Sequence, residues 1–190
     1  MTTFYICRHG ESENNKKGRL MGWIDTPLTD EGIQNAASSA AKLKGIKFDK
    51  IISSDLGRAF TTAYLISRTL SYSAEIERHK ELREVSYGDI ANMPYSAYPE
   101  LSPAENANYA PPNGESLSQM QQRATECIAN ISAANPDKTI LIVAHDGTIN
   151  AVKAGFSKQN IGSVDAAHSP HDFVAKFTVS GGTITSFTEI

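Results

Sequence analysis

The sequence predicts an α/β fold, a three-layer sandwich with a mainly parallel central sheet. Short runs rich in β-branched and aromatic residues alternate along the chain with longer segments whose apolar residues recur at helical spacing. One run, residues 140–144 (ILIVA), is wholly apolar, which is expected of a strand buried on both faces of a sheet. Strands that alternate with helices are typical of a parallel sheet covered by helices on both sides.

The first predicted elements are a strand, a polar loop and a helix. The strand covers residues 4–7 (FYIC) and ends at the triplet RHG, residues 8–10. Thr29 is expected to cap the helix, whose first turn carries Asp30 and Glu31 near the positive end of the helix dipole. The predicted apolar stripe of this helix consists of Ile33, Ala36, Ala37, Ala40 and Leu43.

Further strands and helices are predicted in the middle of the chain. A strand at 50–53 precedes a helix around residues 62–70, and a short β-rich run covers residues 74–77. Ser116 begins a long amphipathic helix, which leads to an apolar strand at 139–144. One side of that helix carries Leu117, Met120, Ala124, Cys127, Ile128 and Ile131.

The chain ends in a predicted hairpin of two strands, residues 173–179 and 183–188, joined by a Ser-Gly-Gly turn. With 190 residues the chain fits one domain, because a split would leave two small cores. We therefore expect a single domain over residues 1–190. Residues 85–115, rich in Tyr, Pro, Asn and Ala, are expected to leave the sheet as a lid.

The tyrosines of this excursion have two interpretations. They are Tyr87, Tyr95, Tyr98 and Tyr109. A lid over a substrate and the ordinary packing of a long loop both favour such residues.

Composition and charge exclude several classes of protein. The hydrophobic fraction of 40% and the charged fraction of 21% are typical of a globular chain. A net charge of -3 argues against a nucleic-acid surface, and no run approaches the ~20 apolar residues of a membrane span. The N-terminus lacks a signal-peptide pattern, and Cys7 and Cys127 provide no disulfide framework. We expect a cytoplasmic protein; the sequence gives no indication of an oligomeric state.

Three strand ends carry polar residues suited to chemistry. They are the triplet RHG at 8–10, the segment from Ser53 to Arg58, and the triplet HDG at 145–147. In open α/β sheets, ligands bind beyond the carboxyl ends of the strands. Two histidines and two arginines are therefore expected to meet at one edge.

These side chains suit phosphoryl transfer through a covalent intermediate. A neutral imidazole such as that of His9 is nucleophilic near pH 7 and can carry a phosphoryl group. Arg8 and Arg58 are suited to the phosphate oxygens, and His145 as an imidazolium adds a donor. Such preorganised donors can replace a metal, so no metal and no cofactor are expected.

A leaving alkoxide also needs a proton, which a carboxylic acid can supply before it acts as a base toward water. Glu84 is the candidate, and Glu81 and Glu115 are nearby alternatives. Individual residues also have structural interpretations: His9 as a histidine at a strand end, and Arg58 as a cation on a helix surface. The stretch 168–172 (HSPHD) is a minor alternative as a metal site.

Residues 4–11 (FYICRHGE) resemble the signature of the histidine phosphatase superfamily, in its phosphoglycerate-mutase-like branch. The resemblance continues in order through the blocks at 8–32, 53–63, 82–88, 112–116 and 142–147. It implies that His9 is phosphorylated, that Glu84 handles the proton, and that the phosphate pocket is formed by Arg8, Arg58, His145, Asn15 and Arg19.

The sequence departs from the family pattern around the expected substrate pocket. Asn14 replaces a common Trp, Met21 replaces a common Gln, and residues 90–92 replace Trp-Glu-Gly. Asp146 stands where Gly is more frequent, and the resemblance weakens beyond residue 150. None of these changes removes a candidate catalytic group.

Three functions fit these observations. The first is a phosphomonoesterase acting on a small phosphorylated metabolite, of the sugar or alcohol phosphate class. The second is a phosphoglycerate mutase, which must bind an acidic intermediate, and the third is an inactive binding module. Residues 85–112 contain no Lys, Arg or His, which favours the phosphatase over the mutase. The joint presence of a candidate nucleophile and acid argues against the binding module.

Overall fold

The computed structural model describes residues 1–164 and 168–190, and within them six strands form one sheet. The strands lie in the order β3-β2-β4-β1-β5-β6. The pairs β3–β2, β2–β4 and β4–β1 are parallel, and the pairs β1–β5 and β5–β6 are antiparallel. The strands are β1 (Thr2–Arg8), β2 (Lys50–Ser54), β3 (Glu77–His79), β4 (Thr139–Ala144), β5 (Val174–Ser180) and β6 (Thr183–Glu189).

Helices cover both faces of the sheet, as predicted. They are α1 (Glu13–Lys16), α2 (Asp30–Lys42), α3 (Gly57–Thr69), α4 (Pro103–Asn108), α5 (Leu117–Ala134) and α6 (Asp146–Ser157). Short 3-10 turns cover Lys80–Leu82, Gly88–Ile90, Tyr95–Ala97 and Ile161–Ser163. None of the helices in the described residues has the length and apolar character that crossing a membrane requires.

Two core clusters make the three layers. On one face, α2 and α3 pack on the sheet through Ala40, Leu43, Ala63 and Ile66. On the other face, α5 and α6 pack through Ile128, Ile131, Ile149 and Val152. In β1 the buried side chains alternate, because successive residues of a strand point to opposite faces. Phe4 and Ile6 join the α5–α6 cluster and Cys7 joins the α2–α3 cluster.

The predicted apolar stripe of α2 is wrong at two positions. Ile33 is 49% exposed and Ala37 is also exposed. The buried face instead carries Gly32, Ala36, Ser39, Ala40 and Leu43. The helix begins so close to the loop after β1 that a Cβ on Gly32 would overlap the Glu11 carbonyl. Small residues therefore define the packed face, and the larger Ile33 is turned outward.

Other boundaries differ by a few residues, and three helices were not predicted: α1 in the polar loop after β1, α4 within the 85–115 excursion, and α6. The short strand of the 74–77 run lies at Glu77–His79, and α6 follows directly after β4 without having been foreseen. The stretch 85–115 runs between the turn Lys80–Leu82 and α5. Its α4 packs on α5 and α6 through Ala107.

Candidate active site

His9 follows β1 and is held at the sheet edge by the hydrogen bond from its backbone N–H to the Ala144 carbonyl, 2.9 Å. Its Nδ1 lies 2.7 Å from the carbonyl oxygen of Gly10. A carbonyl can only accept, so we infer that Nδ1 carries the proton and that Nε2 has a free lone pair. Burial, then Arg58 and Arg8, hold the pKa of His9 well below 6.5, so the ring is neutral at pH 7.

Arg58 lies in the first turn of α3 and is 1% exposed, so it is not a cation on a helix surface. Its Nε is 3.2 Å from His9 Nε2. The other guanidinium nitrogens donate to the carbonyls of Gly22, 2.8 Å, and Ile24, 3.0 Å. Asp25 lies 3.4 Å from Nη1. These contacts fix the guanidinium against the His9 ring.

Glu84 reaches the same cavity from the segment after β3. Its carboxyl accepts from the Val85 N–H, 2.9 Å, and from the Gly147 N–H at the start of α6, 3.3 Å. Burial raises the pKa of Glu84. A Cβ on Gly147 would overlap the Glu84 carboxyl, so any larger residue here would displace that side chain.

The alternative carboxylates have other positions. Glu115 binds Arg123, with Oε2 3.0 Å from Nε and Oε1 2.5 Å from Nη2. Glu81 lines a different cavity, which contains neither His9 nor Arg58. Of these three carboxylates, only Glu84 lines the cavity that contains His9 and Arg58.

His145 is fully buried beside His9, with ring centroids 5.1 Å apart. Neither of its ring nitrogens has a hydrogen-bond partner among the described residues. Burial lowers the pKa of His145 well below 6.5, so the expectation of an imidazolium is wrong for the ligand-free protein. The neutral ring still offers one N–H donor.

Arg8 ends β1 and donates through Nη1 to the carbonyl of Ser169. Its buried Nε has no hydrogen-bond partner within residues 1–164 and 168–190. Its positive charge is close enough to lower the pKa of His9. Arg8 is therefore near the histidine and has one donor that the protein does not use.

A cavity of about 390 Å³ opens from His9, Arg58 and Glu84. Asn15 and Arg19 line it, as the sequence predicts, and Arg19 Nη1 donates to the Asn92 carbonyl, 2.6 Å. The wall also contains Leu20, Met21, Val85, Leu117, Met120, Ile161 and Val164. The space beyond the histidine is therefore largely apolar.

Three tyrosines of the 85–115 excursion, Tyr87, Tyr95 and Tyr98, line this cavity. Tyr98 packs edge-on against Tyr87 and Tyr109, with centroids 5.9 and 5.5 Å apart. Tyr109 thus supports the wall from behind. Three of the tyrosines thus line the cavity and the fourth packs behind them, and a lid over a substrate stays a prediction.

The sequence suggested His168 and His171 only as a minor metal-site alternative, and it predicted no role for Asp146. His168 lines the cavity, and its Nδ1 is 2.7 Å from Asp146 Oδ2, a contact that raises the pKa of His168. His171 Nδ1 is 2.9 Å from the His9 carbonyl. Asp172 pairs with Lys42, 3.0 Å. The residues of the 168–172 stretch thus contact separate partners. In the sequence, the only indication of the contact between His168 and Asp146 was that Asp146 stands where the family more often has Gly.

Comparison with known proteins gives consistent results. A model of the histidine phosphatase superfamily (branch 1) matches residues 4–185, so the resemblance does not end near residue 150. The chain is 34% identical over 185 residues to a 2,3-bisphosphoglycerate-dependent phosphoglycerate mutase of Rhizobium etli, covering 90% of this chain and 87% of the relative. It is 31% identical over 160 residues to the adenosylcobalamin/alpha-ribazole phosphatase of Escherichia coli, covering 79% and 76%. The structure of Bacillus stearothermophilus YhfR matches with a TM-score of 0.86 and 30% identity, over 97% of this chain and 95% of that one.

Proposed function

Because this chain belongs to the histidine phosphatase superfamily, we propose that it is a metal-independent phosphomonoesterase that works through a phosphohistidine. The observation that carries the proposal is the neutral His9 in a cavity shared with a buried Glu84. Its substrate is a small phosphorylated metabolite of the sugar or alcohol phosphate class. Such a pairing of nucleophile and acid has no use in a binding module.

In the first step, His9 Nε2 attacks the phosphorus and the bond to the ester oxygen breaks. Glu84, protonated because burial raises its pKa, gives its proton to the departing oxygen. The His9 Nδ1–H stays bonded to the Gly10 carbonyl, which stabilises the positive charge that the ring acquires. The products are phospho-His9, an alcohol and the Glu84 carboxylate.

In the second step, the Glu84 carboxylate takes a proton from water while the water oxygen attacks phosphorus. The P–N bond breaks, inorganic phosphate forms, and His9 and Glu84 return to their starting protonation states. The same carboxyl acts first as an acid and then as a base. One group can serve both steps because it faces both the leaving oxygen and the attacking water oxygen.

We propose that Arg8, Arg58 and His145 donate hydrogen bonds to the oxygens of the substrate phosphate. Arg58 Nε exchanges its contact with His9 Nε2 for a phosphate oxygen, and the unpartnered nitrogens of Arg8 and His145 are available for two more. Arg58 lines the cavity, whereas Arg8 and His145 lie outside its lining, so phosphate binding must bring their buried, unpartnered nitrogens into contact with the phosphate. Asn15 and Arg19 contribute at the outer side of the phosphate pocket.

The choice between phosphatase and mutase rests on the cavity beyond the phosphate. Residues 85–112 provide tyrosines and no basic side chain, which suits a neutral leaving group better than a bisphosphorylated acid. Arg19 and His168 supply basic groups from other segments. The similarity to a phosphoglycerate mutase leaves the mutase as the alternative function. The similarity to a phosphatase shows that members of the family hydrolyse phosphate esters.

We also assign the enzyme to the cytoplasm, without nucleic-acid partners. The two cysteines, Cys7 and Cys127, are buried free thiols, as is usual in a reducing compartment. The net charge of -3 is unsuited to a polyanion.

Phosphate release from a panel of phosphomonoesters tests the proposal, together with phosphorus NMR of 3-phosphoglycerate and 2-phosphoglycerate. We expect sugar and alcohol phosphates to be hydrolysed, and both phosphoglycerates to lose phosphate faster than they interconvert. Interconversion that outpaces hydrolysis would identify a mutase. Absence of phosphate release from every ester would support the binding module.

A further inference from the structure

A second cavity, of about 500 Å³, lies between β3 and α5 and shares no lining residue with the active-site cavity. Three of its side chains come together: His79, Glu81 and Cys127. One potential ligand atom from each lies within 4.8 Å of the other two. Nitrogen, oxygen and sulfur donors therefore converge at a place that the phosphatase chemistry does not use.

The core fixes this convergence. His79 ends the edge strand β3, and Glu81 follows in the turn Lys80–Leu82. Leu82 is fully buried and packs in the same cluster as Ile128 on α5. Cys127, 7% exposed, precedes Ile128 on that helix. The donors are thus carried by segments whose neighbours are locked into the sheet.

The distances fit a tetrahedral ion. Cys127 Sγ is 3.6 Å from His79 Nδ1. Zinc bonds of roughly 2.3 Å to sulfur and 2.0–2.1 Å to nitrogen, at a tetrahedral angle, place the two ligand atoms about 3.6 Å apart. The other ring nitrogen of His79, Nε2, is 3.7 Å from Glu77 Oε2. A carboxylate hydrogen-bonded to the second ring nitrogen is the usual support for a metal ligand, so Glu77 must move closer to His79 to give that support.

The charges around the three residues leave the donors available. Among the described residues, the Glu81 carboxylate has no ion-pair partner within 4.0 Å. The nearby Arg123 is engaged by Glu115 and by the carbonyls of Glu81, Arg83 and Glu84. Lys50 pairs with Glu77 at 2.6 Å. The cations that line the cavity thus have other anions or carbonyls to bind.

We propose that His79 Nδ1, Cys127 Sγ and one Glu81 carboxylate oxygen bind a Zn²⁺ ion, with a water of the cavity as the fourth ligand. A mixed sulfur, nitrogen and oxygen set favours zinc over magnesium or calcium, which prefer oxygen alone. On binding, the Cys127 thiol releases its proton to solvent and the S–Zn bond forms, with no change of oxidation state. Thiolate and carboxylate balance the charge of the ion.

The ion would tie β3 and the following turn to α5. That turn leads directly through Arg83 to Glu84, so zinc stabilises the segment that carries the proposed acid without touching the reacting atoms. The proposed ion supports the structure and takes no part in catalysis. The proposal therefore does not depend on whether the enzyme is a phosphatase or a mutase.

Cobalt titration of the metal-free protein, followed by absorption spectroscopy, tests the site. A thiolate–Co²⁺ charge-transfer band should appear, saturate at equimolar metal and be displaced by Zn²⁺. The active-site cavity has no cysteine in its lining, so histidines bound to cobalt there give no such band. The Cys127→Ser variant should lose the band.

Glu126→Gln is the matched control, because Glu126 lines the cavity but is not one of the three donors. This variant should keep the band. His79→Gln and Glu81→Gln should weaken cobalt binding and reduce the gain in melting temperature that Zn²⁺ gives the unchanged protein. No thiolate band from the folded protein, or a band that survives in Cys127→Ser, would overturn the proposal.

Discussion

The proton on His9 Nδ1 decides which nitrogen faces the substrate. The Gly10 carbonyl, 2.7 Å away, holds that proton, so the lone pair lies on Nε2 toward Arg58. Burial and two arginines keep the ring neutral. The proposed nucleophile therefore needs no base to activate it, because a backbone carbonyl fixes its tautomer and burial keeps it neutral.

His9→Ala should abolish turnover while leaving the fold intact, because residue 9 follows β1 and the core residues Phe4 and Ile6 remain. We expect kcat/KM to fall by about 10³-fold or more. Rapid quenching with labelled substrate should find acid-labile phosphate on the unchanged enzyme and none on the variant.

His171→Ala is the control for this experiment, since its ring centroid is 5.5 Å from that of His9 but its Nδ1 contacts only a backbone carbonyl. It should still become labelled. Label that persists on His9→Ala would assign the nucleophile elsewhere.

Glu84→Gln should affect substrates according to their leaving groups. A sugar alkoxide needs the proton, so kcat/KM should fall by ~10²–10⁴-fold, whereas nitrophenyl phosphate should lose far less. Because the pKa of Glu84 is raised, the carboxyl stays protonated above its ordinary range and sets the alkaline limb of kcat/KM. The acid limb, set by His9, lies well below pH 6.5.

The variant should lose the alkaline limb on the sugar phosphate, because that limb reports loss of the Glu84 proton. Glu81→Gln changes a carboxylate in the other cavity. Assayed below its unfolding temperature, this variant should keep both the acid and the alkaline limb of the pH profile of kcat/KM. Equal losses on the two substrates would mean that Glu84 only binds or supports the structure.

Single residues were predictable where they follow a strand and unpredictable where they come from a distant loop. His9 and Arg58 stand next to predicted strands, so the carboxyl-edge rule placed them together. His168 contacts Asp146 across 22 positions, and His171 contacts the His9 carbonyl across 162. Nothing local in the sequence sets such separations. The neutral state of His145 follows from complete burial, which a sequence does not display.

The start of α6 is where a helix meets the proposed acid. Gly147 donates its N–H to Glu84, and the absence of a side chain allows the carboxyl to approach. Gly147→Ala should displace Glu84 and reduce kcat/KM for a sugar phosphate by about 10²-fold, part of what loss of the acid costs. The activity loss should be smaller on nitrophenyl phosphate.

Gly155→Ala in the same helix is the matched control. A Cβ there meets only the side-chain tip of Ile184, at 3.3 Å. Alanine in a helix interior is favoured by roughly 0.5–1 kcal/mol over glycine, so this variant should be active and no less stable after a small shift of Ile184. Full activity in Gly147→Ala would show that Glu84 does not need the close approach.

Helices were harder to predict than strands. The apolar run of β4 marks a buried strand without reference to any other element. In α6 (DGTINAVKAGFS), two glycines and three β-branched residues lower the intrinsic helix propensity. Burial of Ile149 and Val152 against the sheet outweighs that cost. For α2, the pattern gave the helix but not its inner face, since the close contact at Gly32 depends on the loop after β1.

The distribution of charge predicts an enzyme that needs no metal for turnover. Net charge is -3, but Arg8 and Arg58 are close enough to His9 to lower its pKa, so positive charge is concentrated beside the proposed phosphate pocket. Exhaustive chelation should therefore leave kcat/KM unchanged well below the unfolding temperature.

Cys127→Ser separates this prediction from the proposed zinc site. Chelation should lower the melting temperature of the unchanged protein but not that of Cys127→Ser. Both proteins should keep their turnover. Turnover that is lost on chelation and restored by Mg²⁺ would contradict the mechanism.

The central position of β1 in the sheet also sets the order of events during synthesis. This strand, Thr2–Arg8, pairs with Thr139–Ala144 on one side and Val174–Ser180 on the other, and both partners come later in the chain. At ~5–20 residues per second, the ribosome adds those partners on the order of ten seconds or more after β1. Until β4 and β5 have been made, Phe4 and Ile6 have no sheet in which to be buried. The long connections between these strands must also close before strand pairing can offset the entropy lost on closure. A nascent chain that stops short of residue 139 therefore carries His9 without the strand that positions it, so catalytic activity can appear only after β4 has been made.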